Sequence, residues 1–515
     1  MLHVLVLTAL SALLLSPGLL SGPSLDAAVF MQVAERMRDG ATLYAGIWDH
    51  KPPGIYLVLA VAQGLLPFLS AWQVSWFLSV VATAATGLAV LTICRGLGTT
   101  RGAALVAGAI CVAVMGEFLL SLGGGLTEPM AAVPLAFALL ATLAAGPTVR
   151  PRRGLWVGAR LGVSLLLSVQ AAAGVVAIGV LMWIRGNRPI PAVAALAAGT
   201  AAVLAAAGVW LAVIGALPAA VDAVVTYNGA YRAVGTATGA ALSGPVIAWT
   251  LLALLFVVVP VAYGARGGLR EVDVSRKTVI VSLVWLALAL ASFVVQGRFL
   301  AHYAIPMAIP LGVLGGLGVD VLSERVRAGR SALIAPILLT VAISSVAAVV
   351  AGAMEFEPIQ RDRARARAVA EVIGPASEAD ARIWAWGNEP VLYAEADRLS
   401  VTRFCYLYAL VTPGYATPAL VLETLQELEA ARPQFIVDVG SPLPGAPGFQ
   451  PLLIARQVAS DGRDLDLMDP IRDFVSENYD QLTVTDGWVI YELRGSEAGL
   501  AAIGSSHRRR SATRR

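Results

Sequence analysis

The chain has 515 residues, of which 57% are hydrophobic and only 14% are charged, and its mean hydropathy is +0.74. Soluble domains carry about 25% charged residues, so this composition excludes an ordinary soluble protein and indicates a polytopic membrane protein. The net charge of +3 is small and the basic residues are dispersed, which excludes a nucleic-acid-binding surface. Cys94 and Cys111 lie in apolar segments and leave Cys405 alone outside them, so the sequence offers neither a disulfide framework nor a CxxC metal site.

The apolar segments predict about eleven membrane spans, because about 20 apolar residues are needed to cross the hydrocarbon core. Residues 1–20 lack a cationic start and are followed by further spans, so we interpret them as an uncleaved first helix rather than a signal peptide. A short apolar piece at 53–69, interrupted by Gln63 and Pro67, predicts a helix at the membrane interface. The other spans are predicted at 72–94, 103–122, 129–145, a two-helix hairpin at 155–184, 192–217, 246–263, 278–295, 304–322 and 332–353.

The charges of the loops predict the orientation of the chain. One alternate set of loops holds fifteen arginine and lysine residues, whereas the opposite set holds five, namely Arg36, Arg38, Lys51, Arg232 and Arg298. Positively charged loops stay in the cytoplasm. The N-terminus is therefore predicted to be cytoplasmic, with the first loop at 21–54 and everything after residue 353 on the outer face of the cytoplasmic membrane.

The composition changes after residue 353. Residues 355–493 alternate helical patterns with short β-rich segments such as ARIWAWG, QFIVDVG and LTVTDGWVIYEL. This order predicts an all-α membrane bundle at 1–353 followed by a small extracytoplasmic α/β domain at 354–495. The basic tail at 496–515 is too polar to fold alone and is predicted to be disordered.

Polar groups gather in the segments that are predicted to face outward. Asp26 opens an amphipathic helical pattern of the kind that lies on a bilayer, and Lys51 stands in the segment WDHKPPGIY. Stabilisation by the helix dipole would also explain Asp26, and anchoring at the membrane interface would explain Tyr303 and Arg298. The remaining groups are Glu128, which follows three glycines at the start of a span, and Arg298, His302 and Tyr303, which lie between two late spans.

This set of groups suits a lipid phosphate that carries a sugar. The phosphate needs cationic partners, for which Lys51 and Arg298 are available. An acceptor hydroxyl needs a base, for which Asp26 is available, and a prenyl tail needs an apolar groove. The residues alone therefore favour chemistry on a lipid-linked sugar at the membrane surface.

The order of these motifs resembles the GT-C class of polyprenyl-phosphate-dependent glycosyltransferases, family 39 type, which includes protein O-mannosyltransferases, lipid A aminoarabinose transferases and bacterial Rgt-like enzymes. The likeness covers residues 1–353 and rests on WDHKPPGIY after the helix led by Asp26, on GGGLTEP, and on GRFLAHYAIPMAIPLG. It implies a membrane enzyme that transfers a sugar, with inversion, from a polyprenyl-phosphate donor to a hydroxyl of a lipid, glycan or protein acceptor.

The resemblance implies a role for each matching residue. Asp26 matches the acid regarded as catalytic, and Glu128 matches a second acid that positions the acceptor or assists the base. Lys51 matches the lysine expected to contact the donor phosphate. The residues matching the element near the donor head group are Arg298, His302 and Tyr303.

Several positions stay open at this point. Asp49 and His50 are structural partners of Lys51, acceptor contacts or metal ligands. The chemistry demands no metal, although a divalent ion bridging Asp26 or Asp49 to the phosphate is an alternative. Gln170 stands where relatives often carry a lysine. Three residues of the C-terminal domain are either structural or meet the acceptor, namely Trp386, Asn388 and Arg403.

Two other functions compete with a glycosyltransferase. A transporter or flippase of lipid-linked sugars would use the same groove, but it should carry charges at mid-bilayer and broken helices in paired halves. The polar residues gather instead near the outer surface, which disfavours transport. A non-catalytic scaffold that displays the C-terminal domain predicts no convergence of Asp26, Lys51 and Glu128.

Overall fold

The computed structural model is a bundle of membrane helices followed by a small α/β domain, which confirms the predicted fold class. It describes residues 1–145, 150–186, 189–238, 255–269, 274–295, 300–327, 334–439 and 466–496. Helices of the first half of the chain are α1 Leu2–Ser21, α2 Leu25–Arg38, α3 Gly54–Leu65, α4 Ala71–Gly96, α5 Arg101–Gly116, α6 Phe118–Ser121, α7 Thr127–Leu143, α8 Pro151–Leu167, α9 Ala172–Arg185, α10 Pro189–Val213, α11 Leu217–Val221 and α12 Asn228–Thr238.

The second half continues the bundle and then builds the sheet. Short 3-10 turns at Val169–Ala171 and Ala301–Met307 and a π-helical turn at Asp222–Tyr227 interrupt the regular helices. The remaining elements are α13 Leu255–Gly268, α14 Val274–Val295, α15 Ala308–Arg327, α16 Ile334–Ile373, α17 Val391–Ala396, α18 Tyr408–Val411, α19 Pro418–Ala431, α20 Asp469–Asn478, β1 Trp384–Trp386, β2 Phe435–Asp438, β3 Tyr479–Thr485 and β4 Trp488–Leu493.

The protein is a multi-pass membrane protein. Among the described residues, five helical segments are long and apolar enough to cross a membrane: Leu2–Ser21, Ala71–Gly96, Pro189–Val213, Val274–Val295 and Ala301–Arg327. Four shorter apolar segments accompany them at Gly54–Leu65, Arg101–Gly116, Thr127–Leu143 and Val169–Arg185. The predicted span at 246–263 lies partly outside the described residues, as does the start of the predicted span at 332–353. Large apolar side chains on the bundle's outside, such as Leu5 and Val209, are exposed as lipid contact requires.

The last membrane helix does not end where the sequence predicts a domain boundary. The boundary between residues 353 and 354 falls inside α16, which runs for 40 residues without a break and ends where the C-terminal domain begins. Arginines and glutamates follow its apolar half, so the composition changes while the helix continues. The C-terminal domain comprises residues 374–496.

The sheet of the C-terminal domain has the strand order β1-β2-β4-β3. β1 pairs with β2 in parallel, and the other two pairs are antiparallel. All three β-rich segments predicted from the sequence form these strands. Helix α19 precedes β2, and it ends at Arg432, whose left-handed backbone is followed by Pro433. The helix, proline and buried strand therefore form the unit that the pattern predicts.

The first loop, residues 22–53, is held by the C-terminal domain. The Arg36 guanidinium donates to the carbonyl of Ser400 at 2.7 Å, and Arg403 Nε donates to the carbonyl of Tyr44 at 2.9 Å. The backbone N–H of Trp48 donates to the carbonyl of Arg403 at 2.9 Å. Nine of the 14 residues of α2 are buried, so this helix is enclosed by protein rather than lying on the bilayer as the amphipathic pattern predicts. Sequence periodicity identifies its apolar face but not the domain that covers its polar one.

Candidate active site

A cavity of about 380 Å³ lies where the first loop, the start of the Ala301–Met307 turn, α16 and the C-terminal domain meet. This volume lies within the usual range for a small-molecule site, about 300–1,000 Å³. Six of the residues predicted from the sequence line this cavity. Those lining it are Asp26, Asp49, His50, Lys51, His302 and Tyr303.

Asp26 reaches the cavity from the first turn of α2. Ser24 begins this helix, because its hydroxyl accepts a hydrogen bond from the backbone N–H of Ala27 at 3.3 Å. The Asp26 side chain is 40% exposed, which leaves its carboxylate open to a ligand. Its Oδ2 atom lies 3.8 Å from Nε2 of His302, beyond hydrogen-bond length. The carboxylate is thus both positioned by a helix start and accessible.

Glu128 lies in the first turn of α7. The three glycines before it all have positive φ, and a Cβ atom at Gly125 would lie only 2.6 Å from Cβ of Ala27 on α2. Only glycine allows this approach, so the GGG loop holds the starts of α2 and α7 together. Glu128 is 3% exposed and does not line the cavity, and its Oε1 atom accepts from the Ser168 hydroxyl at 3.5 Å.

Gln170 stands close to this second carboxylate. Its Oε1 atom lies 2.9 Å from the Ser168 hydroxyl, which therefore faces both Gln170 and Glu128. The residue that replaces the lysine of the resembling family is thus a neutral member of a buried hydrogen-bonded group.

Lys51 is the cation of the cavity. It is half-buried, and its ammonium makes no hydrogen bond or ion pair to any described residue; its nearest recorded contact is the Tyr303 ring, 5.8 Å from Nζ to the centroid. Burial lowers the pKa of this amine, but the interactions with Tyr303 and with the carboxylates of Asp26, Glu128 and Asp49 outweigh burial and raise the pKa above its ordinary value. Lys51 is therefore a permanent cation that has no ion-pair partner among the described residues and whose charge the carboxylates of α2 and α7 stabilise.

The backbone around Lys51 explains the sequence KPPG. The Tyr44 hydroxyl donates to the carbonyl of Lys51 at 2.8 Å, and α3 begins immediately after the two prolines. A Cβ atom at Gly54 would lie 2.5 Å from the carbonyl oxygen of Leu166 at the end of α8. The two prolines end the loop, and Gly54 allows α8 to approach closely. Together they fix the position of Lys51.

Asp49 is buried and surrounded by groups that hydrogen-bond to its carboxylate. It is 1% exposed and accepts hydrogen bonds from the hydroxyls of Tyr56 on α3 and Tyr406 in the C-terminal domain, and Nδ1 of His50 lies 3.0 Å from its Oδ1. Burial raises its pKa, but the nearby His50 and both hydroxyls outweigh burial and lower the pKa to about 2. The Asn228 amide holds the His50 carbonyl at 2.9 Å. Of the three roles left open for Asp49, the geometry favours the structural one.

His302 is almost completely buried, with 4% of the residue exposed. Its ring packs edge-on against Tyr303, with centroids 4.6 Å apart. Its Nε2 atom has no hydrogen-bond partner among the described residues, although it faces Asp26. Nowhere in the described parts of the chain do three or more His, Cys, Asp or Glu residues come together in a group that could hold a metal ion.

The other predicted residues divide into three groups. Arg298 lies outside the described residues. Asn388 lines the cavity, whereas Trp386 is buried in β1 and Arg403 binds Glu423 and the first loop. Three tyrosines and one aspartate that line the cavity were not predicted from the sequence: Tyr231, Asp362, Tyr406 and Tyr408. The aromatic alternation in RFCYLY was the one signal available for the last two, and it reads equally well as a buried strand.

No family model matches the chain, and no curated protein matches it by sequence. Solved structures do resemble it. ArnT from Cupriavidus metallidurans in the apo state has a TM-score of 0.58 at 14% identity, with 94% of this chain and 97% of that chain covered. The same ArnT bound to undecaprenyl phosphate has a TM-score of 0.54 at 14% identity and the same coverage.

A second similar protein comes from an archaeon. The oligosaccharyltransferase AglB from Archaeoglobus fulgidus, in complex with an inhibitory peptide and a dolichol-phosphate, has a TM-score of 0.50 at 11% identity, covering 84% of this chain and 68% of that chain. Identities this low establish architecture and leave the reaction to be argued from the site. The chain shares the fold of these structures, a bundle of membrane helices with a small α/β domain, as its sequence predicts.

Proposed function

We propose that the protein is an integral membrane glycosyltransferase that moves a sugar from a polyprenyl-phosphate donor to an acceptor hydroxyl, with inversion at the anomeric carbon. One observation carries this proposal: a lysine with no ion-pair partner among the described residues shares a cavity with an accessible carboxylate, between the membrane bundle and the C-terminal domain. The cation suits a phosphate, and the carboxylate suits a hydroxyl that must lose its proton.

The proposed reaction is a single displacement. Asp26 accepts the proton of the acceptor hydroxyl, whose oxygen forms a bond to the anomeric carbon. The bond between that carbon and the phosphate oxygen breaks, and its electron pair stays on the departing polyprenyl phosphate. Lys51 stabilises the charge that develops there, and Arg298 is a second candidate cation from the sequence. Glu128 assists by adding negative charge that favours proton uptake.

The similar structures support a lipid-linked donor. ArnT was solved with undecaprenyl phosphate and AglB with a dolichol-phosphate, so both related architectures hold a polyprenyl phosphate. Leu119, Leu122, Pro358 and Ile359 give the cavity of this protein an apolar side that suits a prenyl chain. From the loop charges we further propose that the protein lies in the cytoplasmic membrane, with its N-terminus in the cytoplasm and the cavity on the outer side.

The test uses membranes containing the full chain and a radiolabelled polyprenyl-phosphate sugar. Asp26→Asn is expected to lower sugar transfer by about 100-fold or more, because general-base catalysis contributes at least that much. Asp380→Asn, at an exposed turn of the C-terminal domain, is the matched control and should transfer normally. Transfer by Asp26→Asn at the control rate would show that the base is assigned wrongly.

The same assay separates transfer from transport. A glycosyltransferase releases polyprenyl phosphate in proportion to the sugar that reaches the acceptor. A flippase of lipid-linked sugars would instead carry the donor across reconstituted vesicles with its glycosidic bond intact. Donor movement without release of polyprenyl phosphate would replace the proposed function by transport.

A further inference from the structure

His302 reaches the cavity from a rigid part of the bundle. It belongs to the turn Ala301–Met307, which packs against α6, α7 and α14. Only 4% of the residue is exposed, and its ring lies edge-on to Tyr303. Ile305 on the same turn is completely buried. Because protein interiors are closely packed, these contacts fix the imidazole in place.

Asp26 has no such support for its carboxylate. Ser24 fixes the start of α2, but the Asp26 side chain is 40% exposed and forms no hydrogen bond within the described residues. Such a side chain can rotate between several rotamers. A general base must come within about 2.6–3.2 Å of the group whose proton it takes. The proposed base therefore needs a second group that holds it.

The Nε2 atom of His302 is placed to hold this carboxylate. It lies 3.8 Å from Oδ2 of Asp26, and it is buried without a hydrogen-bond partner among the described residues. A buried nitrogen that lacks a partner costs free energy, so a partner is expected. A shift of about 1 Å by the exposed carboxylate would bring the two atoms within hydrogen-bond range. Catalytic hydrogen bonds are often long before substrate binds and tighten afterwards.

The charges around the ring decide the direction of this hydrogen bond. The charged groups that act on His302 are Glu128, Asp26 and Lys51. A neutral imidazole donates from one nitrogen, and a carboxylate opposite Nε2 favours the tautomer with the hydrogen on that nitrogen, because two facing lone pairs repel. Lys51 cannot accept a hydrogen bond, and Glu128 instead accepts one from the Ser168 hydroxyl. Asp26 is therefore the acceptor that the geometry offers to His302.

We propose that His302 is a positioning residue for Asp26, an inference that rests on the proposed function. Its Nε2–H donates to one carboxylate oxygen and stops the side chain from rotating, which turns the other oxygen towards the acceptor hydroxyl. The proton of that hydroxyl passes to Asp26, and His302 neither gains nor loses a proton. This role differs from the contact with the donor head group that the sequence resemblance implies.

The experiment measures sugar transfer by membranes containing the full chain, from undecaprenyl phosphate that carries radiolabelled glucose, mannose or arabinose in turn. His302→Phe keeps a ring and removes the N–H. Its kcat should fall about 10- to 100-fold, because a displacement of about 1 Å near the reacting atoms can cost that much. The donor KM and the affinity for undecaprenyl phosphate should stay within about threefold of wild type, since donor binding is untouched.

Two amide variants and a control make the result independent of folding. The amide nitrogen of His302→Gln reaches about as far from the backbone as Nε2, so kcat should stay within about fivefold of wild type. His302→Asn is one bond too short to reach Asp26 and should lose as much as His302→Phe, whose place it takes if that variant does not fold. His3→Phe, about 27 Å along α1 from Ser21, is the matched control and should transfer normally.

A double variant tests whether His302 acts through Asp26. Once Asp26→Asn has removed the base, the addition of His302→Phe should lower transfer by no more than about threefold, because both residues serve one step. A residue that acted only on the fold or on the donor would multiply its own loss with that of Asp26→Asn. Multiplied losses would therefore overturn the positioning role.

The remaining outcomes separate this inference from the proposed function. If His302→Phe transfers like wild type while Asp26→Asn is impaired, His302 has no positioning role and the proposed function stands. If His302→Phe and His302→Gln lose equally, packing of the ring is the cause and the inference is overturned. If weaker binding of undecaprenyl phosphate accounts for the loss, His302 contacts the donor instead. If wild-type membranes transfer no sugar from any of the donors, the proposed function fails and this inference fails with it.

Discussion

Two cavities lie at opposite ends of α7, and their charges differ in kind. The cavity of about 380 Å³ adjoins the first turn of this helix, and its lysine is half-buried and fixed by the KPPG backbone. The cavity of about 850 Å³ borders Ala141 near the last turn and is lined mainly by arginines. Its charged members are Arg150, Arg152, Arg153 and Arg160.

The difference shows that a binding site is distinguished by the protein contacts that hold its charged side chain in place, rather than by cavity volume or number of charges. Three of the four arginines are exposed, and no described carboxylate forms an ion pair with any of them. Solvent and lipid head groups satisfy such side chains at little cost, as the charge bias of loops requires. Lys51 is half-buried and has no ion-pair partner among the described residues, and the surrounding carboxylates keep it charged, so we expect it to bind an anionic ligand. Four substitutions probe this contrast, beginning with the one of largest expected effect.

Lys51→Met is expected to lower sugar transfer by about 100- to 1,000-fold, because the departing phosphate loses its stabilising cation. Binding of undecaprenyl phosphate should be lost as well, which a direct titration measures. Arg153→Met is the matched control, since Arg153 is an exposed cation of the larger cavity. Comparable losses in both variants would abolish the distinction between the two cavities.

Asp49→Ala is expected to lower the free energy of unfolding by about 3 kcal/mol, because the hydroxyls of Tyr56 and Tyr406 lose a charged acceptor in a buried place. Thermal unfolding in detergent measures the change. Tyr406→Phe removes one of the two hydroxyls and should cost less, about 1–2 kcal/mol. A variant that unfolds like wild type would mean that Asp49 has a role other than structure.

Gly54→Ala tests the steric part of the KPPG segment. The added methyl would collide with the Leu166 carbonyl, so we expect a loss of about 2 kcal/mol in unfolding free energy and a displaced Lys51 with weaker lipid-phosphate binding. Gly64→Ala, near the other end of α3, has no heavy atom within 4 Å of the added methyl and should be neutral or slightly stabilising. Equal behaviour of the two variants would contradict the close contact with α8.

The smallest effect is expected from Glu389→Gln, next to Asn388. Burial, followed by the field of Asp362, raises the pKa of Glu389 to about 8. A carboxyl with a raised pKa stabilises the folded state below its unfolded pKa of about 4.5, and this contribution is lost as the pH rises to 8. Wild-type protein should therefore lose about 1–2 kcal/mol more than Glu389→Gln between pH 5 and 8, measured by thermal unfolding.

Part of that pH dependence belongs to a second residue. Burial raises the pKa of Glu35 on α2 to about 7, so it contributes with the same sign and keeps a residual slope in Glu389→Gln. Arg152→Gln, on the exposed surface of the larger cavity, is the control and should follow the wild-type curve within about 0.5 kcal/mol. A wild-type slope in Glu389→Gln would show that Glu389 is already ionised in the folded protein.

The sequence predicted what depends on local pattern. Apolar runs located the helices, the β-rich segments located the strands, and the polar residues near the spans named six side chains that line one cavity. Contacts between residues that are far apart along the chain leave no such pattern in the sequence. Tyr406 meets Asp49 across 357 positions of the chain, and no periodicity links them. The same limit explains why α2 was expected on the bilayer, because the domain that covers it is encoded after residue 373.

That long separation also dictates an order of assembly during synthesis. The first loop, with Lys51 and Asp49, leaves the ribosome hundreds of residues before Tyr406, Tyr408 and Asn388. Until the C-terminal segment has been made and has reached the same side of the membrane, the nascent chain lacks both the second hydroxyl that holds Asp49 and the three side chains that this segment contributes to the cavity. The ligand cavity is completed late in biogenesis, and truncated chains inserted in the membrane lack it.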